Sequence, residues 1–367
     1  MPKKPRILII TAAFGEGHNS AARNLALALD LMGAETRVAD PCVLSAPQST
    51  SVIQWGYRLV TTHFPRVWEK IYRATDKCDF SRPNIPLMHR PESYLEGLVA
   101  EWQPDAIVST YPLYPYFLER HFRETGNRLP VFTVVTDSIE INASWLRAPT
   151  DWFLVTDRTT LEAMHCWGIS EEKIISTGFP VNPTFSELTP VDGSDPCKPF
   201  RVLYFPTAKK PFIRRHSKAL LDASPDIHLT IVMGKNFRLL QSRAREIKAA
   251  YPGRVRLLGW TRKVPQLINK HHMVVGKAGG ATVHEAIAAR CPMLIHHLVP
   301  GQEEGNLQLL QQLGAGDLAE NPKDLTAAVS EILANDAAKW RKMKAALADH
   351  NCNDGAITAS KFILSHT

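Results

Sequence analysis

Apolar residues fall along this 367-residue chain in two alternating patterns. One is the short unbroken run: Arg6 to Thr11, Pro104 to Thr110, Val131 to Thr136, Asp151 to Val155 and Lys173 to Phe179, then Leu203 to Phe205, Thr230 to Met233, Leu257-Leu258, Met273 to Val275 and Met293 to Ile295. Runs of this length predict strands buried on both faces. Between them the spacing turns helical, as in Ala21, Leu25 and Leu29, where Asn19 or Ser20 is placed to cap the helix. Strand, turn and helix in repeated order predict open parallel sheets, whose ligands lie beyond the carboxyl ends of the strands. Ile53, Tyr57, Val60, Phe64, Val67 and Ile71 define one further helical stripe, which Pro65 breaks into two helices. Arg58, Arg66, Lys70 and Arg73 lie among its aromatics Trp55, Trp68 and Tyr72, read as exposed. A basic, Trp-containing amphipathic segment suits a membrane surface, although such stripes more often pack into a core. The last two helices are expected over Lys323 to Leu333 and Ala337 to Ile363.

The stretch richest in chemistry is Val275 to Asn306, VGKAGGATVHEAIAARCPMLIHHLVPGQEEGN. Gly279 and Gly280 let backbone approach an anion. The free N–H groups of the following helix, from Ala281 and Thr282 onward, then supply donors and a positive dipole end. Glu285 is one turn on, where a carboxylate can accept from two ribose hydroxyls. Gly301, Gln302, Glu303 and Asn306 gather at the next helix start, with Gln302 and Asn306 four apart on one face. Amides and carboxylates there suit a sugar. Thr282 and Glu285 also spell a capping box, the plain structural alternative.

Composition narrows the setting. The length predicts two domains, and ELTPVDGSDPCKP (187–199) reads as a linker. The expected layout is a first domain over 1–186, a second over 200–340 and a last helical segment over 341–367. A formal charge of +7 favours an anionic partner. No apolar stretch is long enough to span a membrane, and the basic N-terminus runs straight into a glycine loop, unlike a signal peptide. The six cysteines have no close pair, which argues against zinc and a disulfide framework. The adjacent pairs His271-His272 and His296-His297 border strands and face opposite sides, so they do not chelate one ion together. The expectation is a cytoplasmic protein bound peripherally to the inner face of the membrane, with no nucleic-acid motif.

GGATVHEA, PMLI and PGQEEGN, together with ILIITAAFGEGHNSAA, PDAIVSTYPL, VVTD, KIISTGFPVNPTF and VMGKNFRL, resemble the monogalactosyldiacylglycerol synthases and processive diacylglycerol glucosyltransferases. The peptidoglycan GlcNAc transferase is a more distant relative. The resemblance covers nearly the whole chain. It implies an α/β GT-B fold of two Rossmann-like parallel-sheet domains facing a central cleft, the first (1–186) acceptor-side and the second (200–340) donor-binding with the last helix (341–367) crossing back to the first, a UDP-sugar donor and a diacylglycerol acceptor; helix N-termini that take up the charge on the leaving UDP then make a metal unnecessary. It places the loop of Gly15, Gly17, His18 and Asn19 on the acceptor side, with His18 as catalytic base. A helix N-terminus there keeps the ring neutral, as a base must be; the alternative is a histidine that only bonds the loop. Asp137, at a strand's carboxyl end, is a second base or an ordinary cap. Trp55, Trp68 and Trp145 fall on the acceptor side, and Trp260 is expected at the uracil.

The chain departs from the family pattern in places. Glu16 replaces the middle glycine of GGGH, Tyr111 stands for a histidine, and Asn142 replaces the histidine three residues before Trp145. Asparagine takes no proton at neutral pH, so position 142 holds no base. The combined expectation is an inverting hexosyltransferase making membrane glycolipid from galactose or glucose. The rivals are a UDP-GlcNAc-type transferase acting on another lipid-linked acceptor, and a UDP-sugar epimerase.

Overall fold

Twelve strands, among the described residues, form two six-stranded sheets in which every neighbouring pair is parallel. This computed structural model describes residues 3–81, 85, 87–350 and 352–367. The chain divides into two compact units: 1–183 with 299–305 and 354–367, and 184–298 with 306–353.

The first unit runs β1 (Arg6–Ile10), α1 (Glu16–Leu31), β2 (Glu35–Ala39), α2 (Pro41–Ser45), α3 (Pro47–His63), α4 (Pro65–Thr75), α5 (His89–Trp102), β3 (Ala106–Ser109), α6 (Tyr114–Thr125), β4 (Val131–Val134), α7 (Ala143–Leu146), β5 (Trp152–Val155), α8 (Arg158–Cys166) and β6 (Ile174–Ser176). Its sheet order is β2-β1-β3-β4-β5-β6. The apolar runs lie at its centre: Ile7, Leu8, Ile9 and Ile10 are wholly inaccessible to solvent. Alternate residues of β1 face two different clusters, Leu8 and Ile10 meeting Phe117 and Trp145, while Ile7 and Ile9 meet Leu25 and Leu29. This two-sided burial explains why β1 reads as a continuous run with no polar alternation.

The second unit runs β7 (Phe200–Tyr204), α9 (Lys210–Ala223), β8 (Ile227–Val232), α10 (Phe237–Ala250), β9 (Val255–Leu258), α11 (Val264–Asn269), β10 (Met273–Lys277), α12 (Gly280–Ala288), β11 (Met293–His297), α13 (Glu304–Gln312), β12 (Gly316–Leu318) and α14 (Pro322–His350). The sheet order is β12-β11-β10-β7-β8-β9. Its core centres on Phe200, Tyr204 and Trp340, whose Nε1 donates to the His272 carbonyl at 2.7 Å. The last helix, α15 (Gly355–Ser365), belongs to the first unit, where Ala359 and Ile363 complete the cluster around Ile7 and Leu25.

Each sheet has one switch point, where strand order reverses and a crevice opens beyond the carboxyl ends. In the first unit it lies between β1 and β3, in the second between β7 and β10.

Three local expectations need correction. Helix α1 begins at Glu16 with Gly15 as N-cap and no side-chain cap, so Asn19 and Ser20 lie inside it. The helix expected over 337–363 is broken: α14 runs from Pro322 to His350 with non-helical Ala334 to Ala337 inside, and α15 restarts at Gly355 after Asp354, a pair suited to turns. Helix α13 starts at Glu304, so Gln302 precedes it and shares no helix face with Asn306.

Candidate active site

The β1–α1 loop is held from both ends. Asp40, which follows β2, accepts the Ala13 N–H at 2.8 Å and the Val43 N–H at 3.0 Å. Asn19 Oδ1 accepts the Thr11 hydroxyl at 3.1 Å. The loop delivers His18 to the first turn of α1, beside the switch point. The residues that follow β3 and β4 arrive there too: Tyr111 stands edge-on to the His18 ring at 5.4 Å, and the Thr136 hydroxyl lies 3.0 Å from His18 Nδ1. Burial pushes the His18 pKa down to about 4, with the Thr110 backbone acting in the opposite sense. The imidazole is therefore neutral at physiological pH. Desolvation is the main cause, where the sequence pointed to the helix dipole.

Asp137 follows β4. Its Oδ2 accepts the Trp145 indole N–H at 2.8 Å. Burial raises its pKa to about 6; the Trp145 bond lowers it, and the Glu303 charge raises it further. Asn142, predicted not to act as a base, caps α7 through Ser144 and donates to Thr75 Oγ1 at 3.0 Å.

His18, Asp137 and Trp145 line one cavity of about 500 Å³. Most of the wall is apolar, contributed by residues such as Phe14, Ile53, Val60, Phe80 and Leu113. Trp68 and Tyr72 also line it, correcting the expectation that they are exposed. The cause is the break at Pro65, which lets α4 fold back until Trp68 meets Tyr57 edge-on at 4.8 Å. Trp55 alone of that trio faces solvent, 66% exposed. The Tyr57 hydroxyl donates to Gln302 Oε1 at 3.0 Å, so Gln302 belongs to this wall as well. Sequence reasoning missed Tyr57 and Phe80 as wall residues and Thr136 as the partner of His18; only the Tyr57 stripe carried a signal.

The loop of 299–305 is closed by Glu303, whose N–H donates to the Val299 carbonyl at 3.0 Å while its carboxylate accepts the Val299 N–H at 3.1 Å. Gly301 has φ of 79°, and a Cβ there would stand 3.0 Å from the Tyr72 ring. At Gly305 a Cβ would collide with the Ser138 carbonyl, 1.8 Å away, so only glycine fits.

In the second unit the glycine turn lies at the switch point, directly after β10. Gly279 is the N-cap of α12, without a side-chain cap, and Gly280, Ala281 and Thr282 form its first turn. Thr282 inside the helix rules out the capping-box alternative. Glu285 follows within α12. Asn306 donates to the Ala278 carbonyl at 3.0 Å and so pins the turn. Trp260, after β9, is 60% exposed and carries the Arg262 guanidinium 5.5 Å above its ring. The Lys209 ammonium lies 5.2 Å from the Phe212 ring.

Asp195, Cys197 and His272 bring ligand atoms within 4.8 Å of one another. His272 Nδ1 accepts the Arg201 N–H at 2.7 Å, its Nε2 lies 2.9 Å from Asp195, and the Arg201 guanidinium reaches the same carboxylate at 3.3 Å. That arrangement ties down the start of β7 and leaves the donors engaged.

Two Rossmann-like parallel sheets, each with its own switch point, define a GT-B-type α/β fold. Solved structures agree: Acinetobacter baumannii MurG matches with a TM-score of 0.63 at 14% identity, over 99% of this chain and all of that one. The S. aureus MnaA–UDP co-structure matches with 0.61 at 14% identity, over 99% and 95%. Residues 18–181 match the family described as monogalactosyldiacylglycerol (MGDG) synthase. The processive diacylglycerol beta-glucosyltransferase of Bacillus licheniformis is 26% identical over 351 residues, 94% of this chain and 90% of the relative. Its Bacillus subtilis counterpart is 25% identical over 94% and 91%. The resemblance drawn from the sequence motifs is thus borne out: the chain is related to this group of enzymes.

Proposed function

We propose that this chain transfers a hexose, galactose or glucose, from a UDP-sugar to diacylglycerol with inversion, making membrane glycolipid. The observation that carries the reading is the cavity of the first unit: a chamber of about 500 Å³ with apolar walls and two proton-handling groups, His18 and Asp137. An acceptor with apolar chains and one reactive hydroxyl fits that distribution. A UDP-sugar epimerase has no use for an apolar chamber.

The UDP-sugar is assigned to the β10–α12 turn, where Gly279, Gly280, Ala281 and Thr282 offer N–H groups to the diphosphate and Glu285 faces the ribose. Such fixed donors stabilise the charge that develops on departing UDP. Gly301, Gln302 and Glu303 are assigned to the sugar, with Trp260 at the base. Asn306 acts by holding the turn. No metal is invoked for these steps.

The two candidate bases differ in their fitness. A good base has a pKa near the working pH. His18, pushed down to about 4, is a weak proton acceptor, whereas Asp137, raised to about 6, is ionised at neutral pH and still basic. In this reading Asp137 takes the proton as the acceptor oxygen attacks the anomeric carbon, and neutral His18 orients that hydroxyl.

Among the described residues no helix is long and apolar enough to cross a membrane. Contact with lipid is assigned to α3 and α4, where Val52, Trp55, Phe64 and Val67 are exposed beside Arg58, Arg66 and Lys70. Product analysis tests the whole reading. Purified protein is mixed with diacylglycerol in anionic vesicles and given UDP-galactose, UDP-glucose or UDP-GlcNAc in turn. Glycolipid from one hexose donor is the expected result; UDP binding without glycolipid would remove the lipid half.

A further inference from the structure

The second unit has a hollow of about 340 Å³ at the amino ends of its strands. β7, β8 and β9 begin there, at Phe200, Ile227 and Val255, whereas the glycine turn follows the carboxyl end of β10. Strands of a parallel sheet are covered on both faces and read as apolar throughout. One face of these three conforms: Phe200, Val202, Ile227, Leu229 and Val255 lie in the core cluster. The other does not. Arg201 pairs with His228 and Thr230 with Arg256, so these four share the second face, and His228 and Arg256 are exposed on it. The titratable lining consists of Arg201, Arg254, Arg256, Lys270, His228 and His271, and no described carboxylate lines the hollow. Three of these build the wall. Arg254 donates to the carbonyls of Leu221, Ser224 and Ile227 at 2.8, 2.6 and 3.0 Å. Arg201 Nε donates to the Lys270 carbonyl at 2.8 Å, and its guanidinium is paired with Asp195. His271 Nδ1 donates to the Leu267 carbonyl at 2.6 Å, which leaves Nε2 to accept the Thr230 hydroxyl at 2.9 Å. Asp222, which feels the Arg254 charge, is itself bound to Lys218 and Tyr251. The side chains of Arg256 and Lys270 have no ion-pair or hydrogen-bond partner among the described residues.

We propose that this hollow binds a small phosphorylated molecule, whose phosphate monoester is held between Arg256 and Lys270. A guanidinium takes two phosphate oxygens at once, and an ammonium takes a third. A phosphate monoester carries nearly two negative charges at neutral pH, which the two unpaired cations balance. A carboxylate or a phosphodiester brings only one. The volume falls within the range of about 300–1,000 Å³ that sites for small organic ligands have. A bare phosphate would leave much of it empty, and Pro199 and Leu267 give the organic part of the ligand an apolar wall. The hollow opens at the other end of the sheet from the turn assigned to the UDP-sugar. The inference is therefore independent of the glycolipid reading.

Isothermal titration of the whole chain with glycerol phosphate, at physiological ionic strength, tests this. Two double variants are compared with the unaltered chain. One is Arg256→Gln with Lys270→Gln. The other, Arg245→Gln with Lys248→Gln, removes the same charge from α10, which packs on the apolar face of the sheet. All four residues are exposed, so the fold is spared. The expected result is saturable binding to the unaltered chain. Its Kd should rise about tenfold or more in the first variant and stay within about twofold in the second. The Kd for UDP should stay within about twofold in both. Absence of saturable binding overturns the site, and so does equal weakening in the two variants, which marks diffuse charge attraction. Parallel loss of UDP binding in the first variant would place the phosphate at the glycine turn and overturn it as well. Phosphatidylglycerol vesicles separate the sources of phosphate: if only they bind, and only the first variant loses them, the hollow serves lipid headgroups and the soluble ligand is refuted.

Discussion

At the scale of single residues, burial sets how readily each of the two candidate bases takes up a proton. His18 was legible from the family resemblance and its place after a glycine loop, but its weakness as a base was not, because desolvation depends on Tyr111, Thr136 and Trp145, which come from far along the chain. The same applies to Asp137, whose elevation needs burial and the Glu303 charge. This gives a pH test. With Asp137 as base, kcat/KM falls below pH about 6, as the carboxylate protonates, and is level above; with His18 as base the acid limb lies near 4. Asp137→Asn should lower kcat by about 10²-fold or more and abolish the limb near 6. Gln302 shows the limit of motif reading: the motif placed it with the sugar, and only folding shows the Tyr57 hydroxyl bonded to its side chain.

At the scale of elements, ten of the twelve strands described were legible because burial leaves unbroken apolar runs, and the glycine turn after β10 because Gly279 and Gly280 follow one of them; the edge strands β2 and β12 bury too few apolar residues to show in the sequence. Helix α4 was read only in part. Periodicity identified it, and Pro65 marked its start, but one stripe cannot say which neighbour it meets. The fold back onto α3 turns Trp68 and Tyr72 inward and leaves Phe64 and Val67 about half exposed, at 56% and 49%. That outer face carries a prediction. Phe64→Asp combined with Val67→Asp should cut co-sedimentation with anionic vesicles several-fold, since each lost side chain removes roughly 1.5–3 kcal/mol of burial. The chemical step on detergent-dispersed acceptor should be little changed. Binding should also weaken as salt rises, because Arg66 and Lys70 contribute by charge.

At the scale of the whole molecule, histidine burial is uneven. In the second unit, burial pushes His216, His271 and His272 down to about 4 and His296 to about 3; in the first, His18 is at about 4. Each is neutral when folded, whereas an unfolded histidine takes up a proton below about 6.5. The unfolded state thus binds more protons between pH 6.5 and about 4, so stability is full above 6.5 and lost as pH falls through that window, at up to about 1.4 kcal/mol per pH unit per group. In the first unit Asp137 and Asp40, raised by burial, act in the opposite direction as they protonate. Acidification from pH 7 to 5 should therefore loosen the second unit first. Peptide-resolved hydrogen exchange, corrected for its intrinsic pH dependence, should show protection lost in 200–298 before 6–183; equal loss would refute the assignment.

The polypeptide passes from one unit to the other four times, at 183/184, 298/299, 305/306 and 353/354. For anyone dividing this protein, a single scissor point in 187–199 therefore yields no self-sufficient half. A fragment ending there lacks α15, and with it the lid of Ala359 and Ile363 over Ile7, Leu25 and Phe132. It would leave a greasy, adhesive flank in water. An expression fragment of the first unit needs its last helix grafted back on a short tether to stay dispersed.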